Sequence, residues 1–190
     1  MSTARRRATY QDVVEAPEHL VAELIDGELI TSPRPASPHA LAASAMSMDL
    51  SPFHQPPGAA GKPGGWWILY EPELHFGDDV LVPDLAGWRR ERKRMPEFPN
   101  VAWFEQAPDW VCEALSPSTR SLDRDRKMPI YAREGVGHLW LVDPLARTLE
   151  VYRLVGGRWV SAATHQGGVL VRAEPFEALE LNMRRWWGEA

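Results

Sequence analysis

The 190-residue chain has little cysteine, no long apolar run and no excess of positive charge, and each shortage excludes something. Its single cysteine, Cys112, has no partner for an internal disulfide, so a reducing compartment is expected. No apolar stretch approaches the roughly 20 residues that a membrane-spanning helix needs. The basic residues 1–7 lead into no apolar segment and do not read as a signal peptide, so the expectation is a cytoplasmic protein with no membrane partner. A net charge of −5 argues against a protein that coats nucleic acid through bulk electrostatics. It leaves room for an enzyme that touches phosphate over a small patch.

Several chemistries lack their motif. None of the six histidines stands at paired ligand spacing and there is no Cys-x-x-Cys, which sets a zinc site aside. Gly58, Gly61, Gly64 and Gly65 precede a strand and lack the Lys-Ser/Thr ending of a phosphate-binding loop. No Gly-x-Ser-x-Gly surrounds Ser116 or Ser118, so these hydroxyls read as turn formers and not as nucleophiles.

What is present is an ordinary globular balance, 44% hydrophobic and 25% charged, over a length that suits one domain spanning residues 1–190. Thr9 is placed to cap a short helix over residues 10–15. Asp26-Gly27 between two apolar runs signals a hairpin, because a type I′ turn needs positive φ at both central positions. Ser37-Pro38 reads as N-cap and first residue of a helix through Leu41, Ala45 and Met48. Residues 66–76 and 80–88 read as two strands around Gly77-Asp78-Asp79, and residues 89–108 as an excursion at the rim. Residues 110–115 form a short strand, 121–133 a helix, and 138–142 another strand. Two further strands flank Gly156-Gly157, and residues 181–187 suggest a short helix docked on the sheet or on a second subunit. The sum is a mixed α/β fold: hairpin, helix, β-meander, helix crossover, β-meander.

Two carboxylates interrupt strands that otherwise look buried: Asp84 within Val82-Pro83-Asp84-Leu85, and Glu113 within Trp110-Val111-Cys112-Glu113-Ala114-Leu115. Each either faces water on a half-exposed strand or finds a cation, because an unpaired buried carboxylate is costly. On neighbouring strands the pair suits Mg²⁺, a hard ion that takes one or two carboxylates and keeps several waters. The following helix carries Arg120, Arg124, Arg126 and Lys127, with Asp123 and Lys127 four apart on one face. Lys127 is either aimed back across a metal or is a surface lysine paired with Asp123.

These segments, with Ser116-Pro117-Ser118-Thr119, Tyr131, Gly135-Val136, His138 through Pro144, the Glu23 to Leu29 hairpin and His39, resemble the Uma-two family of restriction-endonuclease-like proteins. That family lies within the PD-(D/E)xK nuclease superfamily. The likeness runs over about residues 9–154, leaving residues 155–190 as C-terminal strands and a short helix. It implies a restriction-endonuclease-like core, a mixed sheet flanked by helices with an N-terminal hairpin. It implies metal-dependent phosphodiester hydrolysis in nucleic acid, DNA being the expected substrate. Asp84 and Glu113 become metal ligands, with Mg²⁺ as cofactor and Mn²⁺ as a substitute. The usual motif puts lysine two positions after the second acid, where this chain has Leu115. The resemblance offers Lys127 as a relocated lysine. Glu28 is the candidate for an additional catalytic acid, with Glu23 behind it, and Arg120, Arg124 and Arg126 are candidates for the nucleic-acid backbone. A homodimer would suit the cutting of two strands. The competing reading is a catalytically inactive nuclease fold used as a binding module, for which the acidic balance, the displaced lysine and nine tryptophans speak. A two-carboxylate glycosidase fits the basic helix poorly.

Overall fold

The computed structural model describes residues 6–34, 36–93 and 102–189. Helix α1 (Tyr10–Val14) is opened by a capping box between Thr9 and Asp12. The hairpin follows as β1 (Leu20–Ile25) and β2 (Glu28–Pro33). Asp26 and Gly27 both have positive φ, 54° and 77°, as a type I′ turn demands. Helix α2 (Ser37–Leu50) comes next. Ser37 is already its first helical residue and Ala36 its cap, so Pro38 sits one step deeper than its sequence suggests.

The expected strand over residues 66–76 is two strands in different sheets, β3 (Trp66–Tyr70) and β4 (Glu73–Phe76). The break is made by Glu71, forced to φ 43°, and Pro72, which has no N–H to donate to a ladder. The expected strand over residues 80–88 divides likewise into β5 (Asp79–Leu81) and β6 (Leu85–Arg89). Asp84 therefore lies at a gap between two strands, where Pro83 interrupts pairing, and not inside one. Of the expected rim excursion, residues 94–101 lie outside the described residues. The short strand β7 (Trp103–Phe104) leads to β8 (Trp110–Ala114). The basic helix is α3 (Arg120–Leu122), a π-turn over Asp123–Lys127, and α4 (Met128–Arg133) in one continuous run. It crosses to β9 (His138–Asp143), which lies parallel to β8. Strands β10 (Thr148–Val155) and β11 (Arg158–Gln166) complete the meander. The chain ends in β12 (Leu170–Val171), β13 (Leu181–Asn182) and α5 (Met183–Trp186).

A six-stranded mixed sheet, β11-β10-β9-β8-β6-β3, is the centre of the molecule. A five-stranded sheet, β2-β1-β5-β4-β7, packs beside it. One face of the large sheet buries Trp110, Cys112, Trp140 and Val142 beneath α2 and the C-terminal segment carrying Phe176, Met183 and Trp186. The opposite face buries Ala86, Trp88, Val111, Leu139 and Leu141. It is closed by Ile130 and Tyr131 of α4 and by Ile25, Leu74 and Leu81 of the small sheet. Among the described residues no helix is long and apolar enough to cross a membrane.

Candidate active site

The parallel β8–helix–β9 unit aims the end of β8 and the start of the next helix at the same place, the carboxyl edge where α/β folds tend to bind ligands. Glu113 is 2% exposed there although flanked by wholly apolar neighbours. The π-turn puts Asp123 and Lys127, each 3% exposed, directly over it. Lys127 Nζ lies 2.8 Å from Glu113 Oε1, 3.0 Å from Glu23 Oε1 and 3.5 Å from Asp123 Oδ1. Tyr131, one turn further on, donates its hydroxyl to the same Glu113 oxygen at 2.5 Å. Glu23 also accepts the Val82 N–H at 2.8 Å, which ties β1 to the strand gap holding Asp84. Asp84 is anchored on both oxygens: Oδ2 accepts the Ala114 N–H at 2.7 Å, and Oδ1 lies 2.5 Å from Nε2 of His39 on α2.

All of these residues except Tyr131 line a cleft of about 270 Å³ together with Ser32, Arg34, Glu71 and residues 116–119. Within it, electrostatics are far from those of water. Burial pushes the Glu113 carboxyl well above the usual carboxylate range, only partly opposed by Lys127. Burial raises Asp123 as well, again against the pull of Lys127. Burial alone would drag Lys127 down, yet Glu113 and Glu23 hold its ammonium well above the ordinary lysine value. Burial would also lower His39, but the hydrogen bond and charge of Asp84 bring it out above the ordinary histidine value.

The donor set fits a divalent cation. Three buried carboxylates, from Glu23, Glu113 and Asp123, face one lysine, and Asp84 is buried in the same cleft. Asp123 Oδ2 is buried without a hydrogen-bond partner, a cost that a cation would remove. Among the described residues no three His, Cys, Asp or Glu side chains form a ready-made cage. Mg²⁺ needs only one or two carboxylates and otherwise keeps its waters. Asp84 and Glu113 could supply them.

Asp84, Glu113 and Lys127 thus meet in one cleft, and Glu28 does not. Glu28 sits exposed beside the hairpin turn, bonded to Arg126 Nη1 at 2.8 Å. The acid brought to the centre is Glu23, two residues up β1 from Ile25, the residue that Glu28 pairs with. The three arginines are not free cations. Arg120 is paired with buried Asp143, Arg124 with Glu150 at 2.5 Å, and Arg126 with Glu28 and Asp26. His39, Asp123 and Tyr131 were visible as single residues, but only the tertiary contacts gather them around the carboxylates.

A structure from Anabaena variabilis ATCC 29413, described as that of "a putative nuclease belonging to DUF820", superimposes with a TM-score of 0.74. The match covers 95% of this chain and 97% of that one at 24% sequence identity, a likeness of fold. Fold and buried carboxylate–lysine cleft together describe a restriction-endonuclease-like protein. Residues 8–184 match the model of the Uma2 family, described as "Putative restriction endonuclease", and the chain belongs to that family. No curated protein matches the chain in sequence.

Proposed function

We propose that this protein is a divalent-metal-dependent nuclease that hydrolyses phosphodiester bonds in nucleic acid, with DNA as its substrate. The observation that carries the reading is Lys127 Nζ seated 2.8 Å from Glu113, in a cleft shared with Asp84. Asp84 and Glu113 would hold Mg²⁺ or Mn²⁺. When bound, such an ion would supply positive charge against the phosphate and lower the pKa of a coordinated water. Lys127 keeps its proton in this setting, so it acts as a fixed donor and counter-charge for the phosphate oxygens and not as a base. Glu23 and Asp123 hold the ammonium in place, and His39 fixes the carboxylate plane of Asp84. Leu115, at the usual lysine position of the superfamily motif, is buried in the core beneath the cleft. The helix supplies the ammonium instead.

The test is nicking of supercoiled plasmid with Mg²⁺, Mn²⁺ or EDTA by wild type, Asp84→Ala and Lys127→Ala. Metal-dependent nicking by wild type is expected to fall about a thousandfold or more in Asp84→Ala, since a lost metal ligand forfeits several kcal/mol. Activity surviving in Asp84→Ala would mean another centre. Absence of turnover in wild type on every nucleic acid tried would favour a binding module.

A further inference from the structure

The proposed centre lies deep. Glu113 is 2% exposed, Lys127 and Asp123 3%, and Asp84 9%. The cleft above them measures about 270 Å³, near the lower bound of roughly 300 Å³ for sites that enclose one small molecule. Duplex DNA is a stiff rod with a persistence length of about 50 nm. A phosphate on its outer wall cannot reach groups buried this deeply unless the duplex kinks or a base unpairs. Single strands carry no such penalty, and enzymes with recessed centres act on single strands or extrude the target nucleotide.

The charge distribution points the same way. Proteins that grip a duplex present a basic stripe to many phosphates. Here Arg120, Arg124 and Arg126 are each taken up by carboxylates of the fold. Besides Lys127 and His39, the cationic side chain among the cleft-lining residues is Arg34, 56% exposed at the rim and in long contact with Glu71 at 3.4 Å. Beside that rim stands an aromatic ring that the core does not use. Tyr70, the last residue of β3, is 49% exposed next to Glu71. Glu71 lines the cleft and donates its N–H to the Asp84 carbonyl at 3.0 Å, and Tyr70 pairs with Leu85, which places Tyr70 beside the carboxylate cluster. An exposed ring beside a backbone-sized groove is the stacking platform that single-strand binders use, and it tolerates any base.

We propose that the cleft takes nucleic acid as a single strand or a frayed strand end, with Tyr70 stacking on a base beside the scissile phosphate and Arg34 meeting the backbone. The proposal rests on the nuclease reading of the same cleft.

The experiment compares one labelled sequence as a single strand, as a blunt duplex and as a duplex with a single-stranded tail, each with Mn²⁺. Single strand and tail should be cut at least about tenfold faster than the blunt duplex, the unpairing step being the difference. Tyr70→Ala should raise KM for the single strand on the order of tenfold, and Tyr70→Phe should restore it. The ring is half-exposed, so its removal leaves both cores intact. A blunt duplex cut as fast as the single strand overturns the proposal while the nuclease reading stands. An unchanged KM in Tyr70→Ala removes the stacking platform. Failure to cut any of the three removes the nuclease reading, and the proposal falls with it.

Discussion

The two faces of β8 are equally dry and built for opposite ends. On one, Trp110 and Cys112 pack into rings: Trp110 and Trp140 lie 5.2 Å apart edge to face, and Phe176 stands 4.9 Å from Trp110. Such contacts add about 0.5–1.5 kcal/mol each beyond the area they bury. On the other, Val111 and Leu115 bracket Glu113, and the space above holds Lys127, Glu23, Asp123 and Tyr131. Burying this cluster carries a desolvation cost that ion pairing offsets only when every member is satisfied. Asp123 Oδ2 has no hydrogen-bond partner, and on the aromatic face Trp110 Nε1 has none either. A face that only holds the fold together can be all rings. A face that buries charge stands only while its ion pairs hold.

The largest effect that would sharpen this contrast is Trp140→Ala. It should cost about 3–5 kcal/mol in urea unfolding and leave the cation affinity of the folded fraction untouched. Lys127→Ala should cost about 3 kcal/mol, the low end for breaking a buried ion pair. The reason is that Glu113, already pushed up by burial, can take a proton in place of its lost partner. A loss near zero would mean that the carboxylates do not depend on the lysine, and the contrast between the faces would collapse. Next comes His39→Ala. Removing the group that orients Asp84 should weaken Mn²⁺ binding in titration calorimetry about 10–100-fold, the usual consequence of losing such a support, with far-UV circular dichroism unchanged. Unaltered affinity would make His39 a packing residue. The smallest effect is expected for Arg124→Ala: at most about 1 kcal/mol of stability and no change in affinity for nucleic acid. A marked loss of affinity would show that this arginine leaves Glu150 for phosphate.

Much of this was legible in the chain before any coordinates. Asp26-Gly27 announced its turn because few residues accept positive φ, and Glu113 stood out because a lone acid in an apolar strand needs a reason. The breaks at Glu71-Pro72 and Pro83-Asp84 were not read, although both prolines were in view. Apolar alternation continues across them, and only the passage of the chain from one sheet to the other decides that the strand must end. Glu28 was preferred to Glu23 for a related reason. Both alternate with apolar residues, and what buries Glu23 is the approach of Val82 and Lys127 from far along the chain. The sequence offers the arginines to a nucleic-acid backbone because their partners Asp143, Glu150 and Glu28 are brought in by folding alone.

The aromatic face also makes the molecule its own optical instrument. Trp110, Trp140 and Trp186 stand close enough to exchange excitation, so their emission reports the integrity of that core as a unit. Trp159 stands apart, its indole N–H donated to the Met128 carbonyl at 2.8 Å, just past the π-turn that carries Lys127. The difference spectrum between wild type and Trp159→Phe therefore isolates a single fluorophore bonded to the helix that carries Lys127. Occupancy of the cleft can then be followed by light, on the intact protein, with no label added.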